Sequence, residues 1–359
     1  MSAWSRRAWL KWSTGASALA VSARLFEPGK LVTQRIPSSG EQLPVIGLGS
    51  SATFAEVARS EDVGALREVM TTLVQNGGTI FDTAPDYGAS EEVAGKIARE
   101  ASITDKIFWA TKVNVARGGG AADPAAAKAQ IAASFRKIKK PKIDLIQVHN
   151  LGDVPTQLKL LKDLKAEGRV RYFGVTTTSP TQYNDLIRTM KAEPLDFIGV
   201  NYAIDDRDVE QTILPLARDR KIAVLAYAPF GRTRLFRRVQ GQSLPGWAAE
   251  FDAKTWAQFF LKFVVSHPSI TAATPSTSQA KNMVDNIGGG IGRMPDEPTR
   301  KRMVTFVMRC PQSDRGLPTH LPSWRYRHHR GRPPPIQRPR QTALITTPHG
   351  SPDLWGCRH

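Results

Sequence analysis

The feature that most constrains this chain is an alternation between residues 43 and 290. Eight short apolar or β-branched runs, at residues 45–49, 79–83, 107–112, 143–149, 170–176, 197–202, 222–228 and 270–275, are separated by longer stretches with helical spacing. The stretch after the first run carries Leu66, Val69, Met70, Leu73 and Val74, the stripe of an amphipathic helix. Ser60 is placed to cap it, with Glu61 and Asp62 in its first turn and Gly77 at its end. Further helices are expected over residues 125–139, 156–167, 180–191, 209–220 and 253–266. Strands that are apolar on both faces and joined by helices are parallel βαβ units. Eight such units in about 230 residues match the length of a closed (β/α)8 barrel, and no Gly-x-Gly-x-x-Gly follows the first run to suggest a doubly wound dinucleotide fold.

Charge and composition mark off the two ends. The chain of 359 residues has 50 Lys and Arg against 32 Asp and Glu, a net of +18, which raises the question of a nucleic-acid partner. Much of that excess is terminal. After Met308 come nine arginines, two aspartates and no lysine, together with nine of the 25 prolines and five of the seven histidines. This stretch, 309–359, has no strand or helix periodicity and reads as a disordered tail with the composition of out-of-frame GC-rich translation. Nucleic-acid binding is therefore not expected. Residues 1–30 contain Ser5-Arg6-Arg7-Ala8-Trp9-Leu10-Lys11 followed by a mildly apolar stretch, the layout of a twin-arginine signal peptide and linker. Export to a bacterial periplasm follows as an expectation, with a cytoplasmic location if that segment is only a basic arm. No apolar run is long enough for a membrane span. Both cysteines, Cys310 and Cys357, fall in the tail, so the body from 31 to 308 is expected to hold no disulfide, thiol nucleophile or metal centre.

Barrel chemistry sits at the C-terminal ends of the strands. The second run ends in Phe81-Asp82-Thr83-Ala84-Pro85-Asp86-Tyr87-Gly88, the third in Thr111-Lys112 and the fourth in Val148-His149. Three neighbouring strands thus bring a carboxylate, a phenol, an ammonium and an imidazole to one rim. Asp82 should keep Lys112 charged, and that charge should lower the Tyr87 pKa toward the range of a working proton donor. His149 can orient a substrate oxygen. No side chain carries a hydride, so a nicotinamide is implied.

These segments resemble the aldo/keto reductase family over roughly residues 31–307. The opening 31–37 resembles the family's hairpin beneath the barrel. The resemblance implies that Asp82, Tyr87, Lys112 and His149 are its catalytic tetrad and that Tyr227 stacks on the nicotinamide. It further implies that Thr176, Thr177 and Asn201 hold the carboxamide and that Gly231 and Arg232 meet the pyrophosphate. Ser276, Thr277, Asn282 and Asn286 would then lie at the adenosine end. The positions that often grip a 2′-phosphate fall on Ser276 and Asn282, neither of them charged, with Lys281 one place out of register. The implied cofactor is NADP, with NAD the alternative, and the implied reaction is reduction of an aldehyde or ketone to the alcohol.

Two other readings fit a barrel with these residues. Lys112 could serve a Schiff-base lyase, although its pairing with Asp82 works against a nucleophilic amine. A non-catalytic partner protein could use the nicotinamide pocket as a redox sensor. The carbonyl substrate would be selected by loops after the strands, chiefly 205–208 and 232–247. The oligomeric state is not encoded in any of these features.

Overall fold

A computed structural model describes residues 29–310 except 52, 61 and 62; the signal-like residues before 29 and the tail beyond 310 lie outside the described residues. Strands β1 (Thr33–Arg35) and β2 (Gln42–Pro44) form an antiparallel hairpin. Eight parallel strands follow in chain order: β3 (Leu48–Gly49), β4 (Ile80–Asp82), β5 (Phe108–Val113), β6 (Ile143–Val148), β7 (Val170–Thr177), β8 (Phe197–Asn201), β9 (Ala223–Tyr227) and β10 (Ala272–Ala273). Bridges Ile46↔Ala273 and Gly49↔Ser276 join the first of these strands to the last, and Gly47 N–H donates to the Ala273 carbonyl at 2.9 Å. All eight expected runs are strands of one (β/α)8 barrel.

Strand pleating divides the core in two, because alternate residues face opposite sides. Ile80, Phe108, Ala110, Leu145, Tyr172, Phe197, Ala223, Leu225 and Ala272 face inward and fill the lower barrel. Ile36 and Leu43 of the hairpin close that layer from below. The Tyr172 hydroxyl reaches out of this layer to Glu41 Oε2 at 2.6 Å. The intervening residues, among them Trp109, Ile146, Phe173, Ile198 and Val224, join the larger cluster beneath the helices. The same parity decides the site. Asp82 lies two residues beyond Ile80, Lys112 two beyond Ala110, and Gln147 two beyond Leu145, so each faces inward one layer above the apolar floor.

The helices depart from expectation at their ends. The first long helix begins at Gly64 and runs to Gln75, burying Leu66, Val69, Met70 and Leu73. Ser60 is not its cap: the Ser60 hydroxyl donates to the Val57 carbonyl at 2.7 Å, closing a short preceding helix, Thr53–Val57. Asp123 caps Pro124–Ile138 through the Ala125 N–H, and Thr255 caps Trp256–Val265 through the Gln258 N–H. A helix absent from the expectations, Ser90–Glu100, has Gly95 in mid-course. A β-carbon at Gly95 would lie 2.1 Å from the Lys137 carbonyl oxygen, so this glycine marks a close helix crossing, not a break. The final helix, Glu297–Arg309, runs past the composition boundary expected at Met308, and Cys310 beyond it is buried. Cys310 packs into the core beneath the helices, whereas Arg309 is exposed.

Candidate active site

Asp82 closes β4, and the loop that follows turns Tyr87 back over the barrel mouth, with Tyr87 N–H donating to the Ala84 carbonyl at 3.0 Å. Lys112 rises from β5. Its Nζ donates to Asp82 Oδ1 at 3.0 Å, to Asp82 Oδ2 at 2.9 Å and to the Thr83 carbonyl at 2.8 Å. The same ammonium stands 4.9 Å from the centre of the Tyr87 ring and 5.4 Å from that of Tyr227. His149, just beyond β6, meets the Tyr87 ring edge-on, with centroids 5.8 Å apart. The four residues expected to act together therefore meet at one rim.

Burial sets the electrostatics. Taken alone it would push Lys112 down, but Asp82 and the Tyr87 phenol outweigh it, and the ammonium is held above its ordinary value. An amine kept protonated has no lone pair with which to attack a carbonyl. Tyr87 corrects an expectation. Its pKa is raised, not lowered, because desolvation of the phenolate is the largest influence and exceeds the opposing pull of Lys112, while Asp82 and Asp86 add to the rise. The phenol is thus a protonated donor throughout the neutral range. His149 is lowered, first by burial, with Asp86 pulling it up and Lys112 pulling it down, so the imidazole is mainly neutral at pH 7.

The residues expected to hold a dinucleotide are partly gathered. Asn201 ends β8; its Nδ2 donates to the Thr178 carbonyl at 3.2 Å, while its Oδ1 is buried with no partner. Ser276 Oγ is likewise buried and unpartnered. Thr176 faces inward and accepts the Asn150 N–H at 3.2 Å. Thr177 faces the other way, donating to Gln182 Oε1 at 2.6 Å, so the neighbouring threonines do not share a surface. Thr277 Oγ1 accepts the Gln279 N–H at the start of helix Ala280–Gly288. On that helix Asn286 is buried, whereas Lys281 and Asn282 are exposed. Gly231 and Arg232 sit on a sharp turn after β9, both with positive φ, and Arg232 is exposed.

Tyr227 lies on β9 with its ring across Gly199, where a β-carbon would come within 2.4 Å of the ring. Its hydroxyl donates to Gln147 Oε1 at 3.1 Å and reaches toward Asp82 Oδ1 at 3.5 Å. Gln147 and Asp86 are the two site residues that the strand-end motifs do not single out. Gln147 precedes His149 by two, so strand parity alone would have placed it on the inner face. Asp86 pairs with Arg117 and approaches His149 Nδ1 to 3.6 Å.

Beside these groups opens a cleft of about 460 Å³ lined by residues that include Asp86, Asn114, Arg117, Asn150, Asp153 and Gln182. Its walls come mainly from the loops after β5 and β6, with Asp86 from the loop after β4 and Gln182 from the segment after β7. The loops expected to select substrate are instead tied together at one point, with Arg234 donating through Nε and Nη2 to Asp205 at 2.6 and 2.9 Å. No helix among the described residues is long and apolar enough to cross a membrane.

Comparison with known proteins places this arrangement. A family model described as the aldo/keto reductase family matches residues 45–297. The aldo-keto reductase YhdN of Bacillus subtilis (strain 168) is 31% identical over 206 residues, which cover 55% of this chain and 61% of that protein. Among solved structures, an aldo-keto reductase from Klebsiella pneumoniae in complex with NADPH superposes with a TM-score of 0.63 at 22% identity, covering 77% of this chain and 96% of that one. The glycerol dehydrogenase AKR11B4 from Gluconobacter oxydans gives a TM-score of 0.62 at 22% identity, covering 80% and 98%. Both structural likenesses concern the fold of the barrel.

Proposed function

The chain belongs to the aldo/keto reductase family, and from that premise we propose that it is an NADPH-dependent oxidoreductase that reduces an aldehyde or ketone to the alcohol. The observation that carries the reading is the buried Lys112 ammonium, bonded to both oxygens of Asp82 and standing against the Tyr87 ring. A reduced nicotinamide would supply the hydride, which no side chain here can provide. The fit is supported by two buried oxygens without partners, Asn201 Oδ1 and Ser276 Oγ, one at each end of the expected dinucleotide site. An amide of the cofactor could donate to the first, and a ribose or phosphate group could bond the second. Solved relatives carry NADPH or NADP.

In this reading Tyr87 gives its proton to the carbonyl oxygen as negative charge develops there. Lys112 lowers the energy of the phenolate left behind, and Asp82 keeps Lys112 charged and in place. His149 hydrogen-bonds the same oxygen and aligns it. Consumption of NADPH by the full chain on addition of an aromatic aldehyde, with the alcohol recovered as product, tests the proposal. Turnover undiminished in Tyr87→Phe would remove its mechanism.

We also infer export by the twin-arginine route, on the strength of Ser5-Arg6-Arg7 and Leu10-Lys11. Replacing both arginines by lysine should retain the protein in the cytoplasm; equal amounts outside the cytoplasm in both forms would overturn it.

A further inference from the structure

We propose that Glu91 is a positioning residue: through its hydrogen bond with Thr111 it ties the loop that carries Tyr87 to the strand that carries Lys112, and so sets the spacing of that pair. The proposal rests on the reading of this rim as a carbonyl-reduction site, and it places a carboxylate behind the rim, among residues that do not face the barrel mouth.

Strand parity gives neighbouring residues of β5 opposite partners. Lys112 points into the barrel and bonds Asp82, whereas Thr111 points toward the helices and donates through Oγ1 to Glu91 Oε1 at 2.7 Å. Glu91 is the second residue of helix Ser90–Glu100, which starts directly behind the Tyr87 loop: the Ser90 N–H donates to the Tyr87 carbonyl at 3.1 Å. Ser90 is held from a further side. Its hydroxyl donates to the Ser50 carbonyl at 3.3 Å, and Ser50 donates to the Asp82 carbonyl through its N–H at 3.0 Å and its hydroxyl at 3.1 Å. Ser50, Ser90, Glu91 and Thr111 are each at most 1% exposed. The ends of β3 and β4, the strand β5 and the start of the helix thus meet in one buried polar layer behind the rim.

Stability alone does not ask for a carboxylate at this place. Glu91 Oε2 has no hydrogen-bond partner, and the Lys137 ammonium stands 3.7 Å from it. Buried pairs gain little over apolar residues of the same volume. What the carboxylate supplies is direction, because it only accepts hydrogen bonds and so holds the Thr111 hydroxyl in one orientation. The groups facing Tyr87 show what that direction controls. Lys112 faces it from β5 at 4.9 Å from the ring centre, Asp82 from the end of β4, Asp86 from its own loop, His149 from beyond β6 and Tyr227 from β9. Lys112 favours the phenolate, whereas burial, Asp82 and Asp86 oppose it. If the tie between Glu91 and Thr111 is lost, Lys112 stands farther off, and the phenolate left after proton transfer loses stabilisation.

The test compares the full chain with Thr111→Val, Thr111→Ser and the double variant Thr111→Val with Glu91→Met. Thr111→Val leaves a buried carboxylate oxygen without its donor, while the double variant removes both partners, a change that is nearly neutral for stability. In NADPH-linked reduction of 4-nitrobenzaldehyde, kcat should fall about tenfold in Thr111→Val, a fraction of the roughly 100-fold that a 1 Å misplacement can cost. KM and NADPH affinity should be unchanged, and Thr111→Ser, which keeps the hydroxyl, should retain the wild-type kcat. The double variant should regain the wild-type Tm and remain slow. The second readout needs no turnover: the Tyr87 phenolate, followed by alkaline absorbance as the difference from Tyr87→Phe, should form at higher pH in Thr111→Val and in the double variant than in wild type. An unchanged phenolate titration in Thr111→Val, or a double variant that regains rate together with Tm, leaves Glu91 a merely structural part and overturns the proposal. A wild type that fails to reduce the aldehyde counts against the functional reading, and the phenolate titration still decides this one.

Discussion

Tyr227 and Gln147 meet inside the barrel mouth: the phenol donates to Gln147 Oε1 at 3.1 Å while its ring lies across Gly199. Gln147 in turn donates through Nε2 to the Val175 carbonyl at 3.4 Å, so the ring that should carry the nicotinamide is anchored through a neighbour to β7. Gln147→Leu would leave the buried phenol with only the distant Asp82 oxygen. The expected cost is about 1–3 kcal/mol, the penalty for an unsatisfied buried polar group. Thermal unfolding should show a lower Tm, and titration with NADPH should show weaker binding.

Tyr87→Phe keeps the ring and removes the proposed proton donor. Turnover should fall by about 10²- to 10⁴-fold, as for loss of a general acid, with NADPH binding retained because Tyr227 is untouched. The measurement is steady-state carbonyl reduction beside a nucleotide titration.

Lys112→Met should act on stability as well as rate. It strands the buried Asp82 carboxylate, and breaking a buried pair from one side costs about 3–5 kcal/mol. Because the folded pKa of Lys112 is raised, the stabilisation by its charge is present throughout the neutral range and is lost only as pH rises past the ordinary lysine value of 10.5. Denaturant unfolding of wild type and variant at pH 7 checks the first statement, and the same pair at alkaline pH should converge.

Cofactor choice is expected to be modest. Ser276 and Asn282 carry no charge, and the exposed Lys281 is the basic residue next to them. Dissociation constants for NADPH and NADH should differ by less than about 100-fold, or roughly 2.7 kcal/mol. A larger ratio would mean that an arginine elsewhere clamps the 2′-phosphate.

His267 should give the barrel an acid weakness. Burial, reinforced by Arg300, lowers its pKa to about 4 from 6.5. Between those values the unfolded chain binds a proton that the folded one does not, so stability declines as pH falls from 6.5 toward 4. His267→Gln should flatten the fall in Tm over that interval; an unchanged slope would place the acid sensitivity elsewhere.

Much of this molecule was legible from local pattern. All eight barrel strands coincide with runs visible as apolar segments between helical ones, because a strand covered on both faces must be apolar along its length. The meeting of these side chains at one rim could be read too, since barrel strands end where their apolar runs end and Asp82, Lys112 and His149 lie at those ends. Helix starts were less legible: Ser60 has the chemistry of a cap, but its hydroxyl bonds backward to Val57. Gly95 has the chemistry of a breaker, yet it sits inside a helix because a neighbouring backbone presses against it.

The sequence by itself determined which residues reach the rim, because strand order and pleat parity are local and periodic. Only the tertiary structure decided how they behave there. Lys112 was expected to lower the Tyr87 pKa, and it does pull in that direction, but the cost of burying a phenolate depends on how completely the loop after β4 closes over the ring. Thr176 and Thr177 are adjacent in the chain and face opposite sides of the sheet. Gln147 finds its partner on β9, and Asp86 meets Arg117 and His149 from the segments after β5 and β6. Desolvation and hydrogen bonding are set by atoms brought together from distant segments, and no single stretch of the chain contains them.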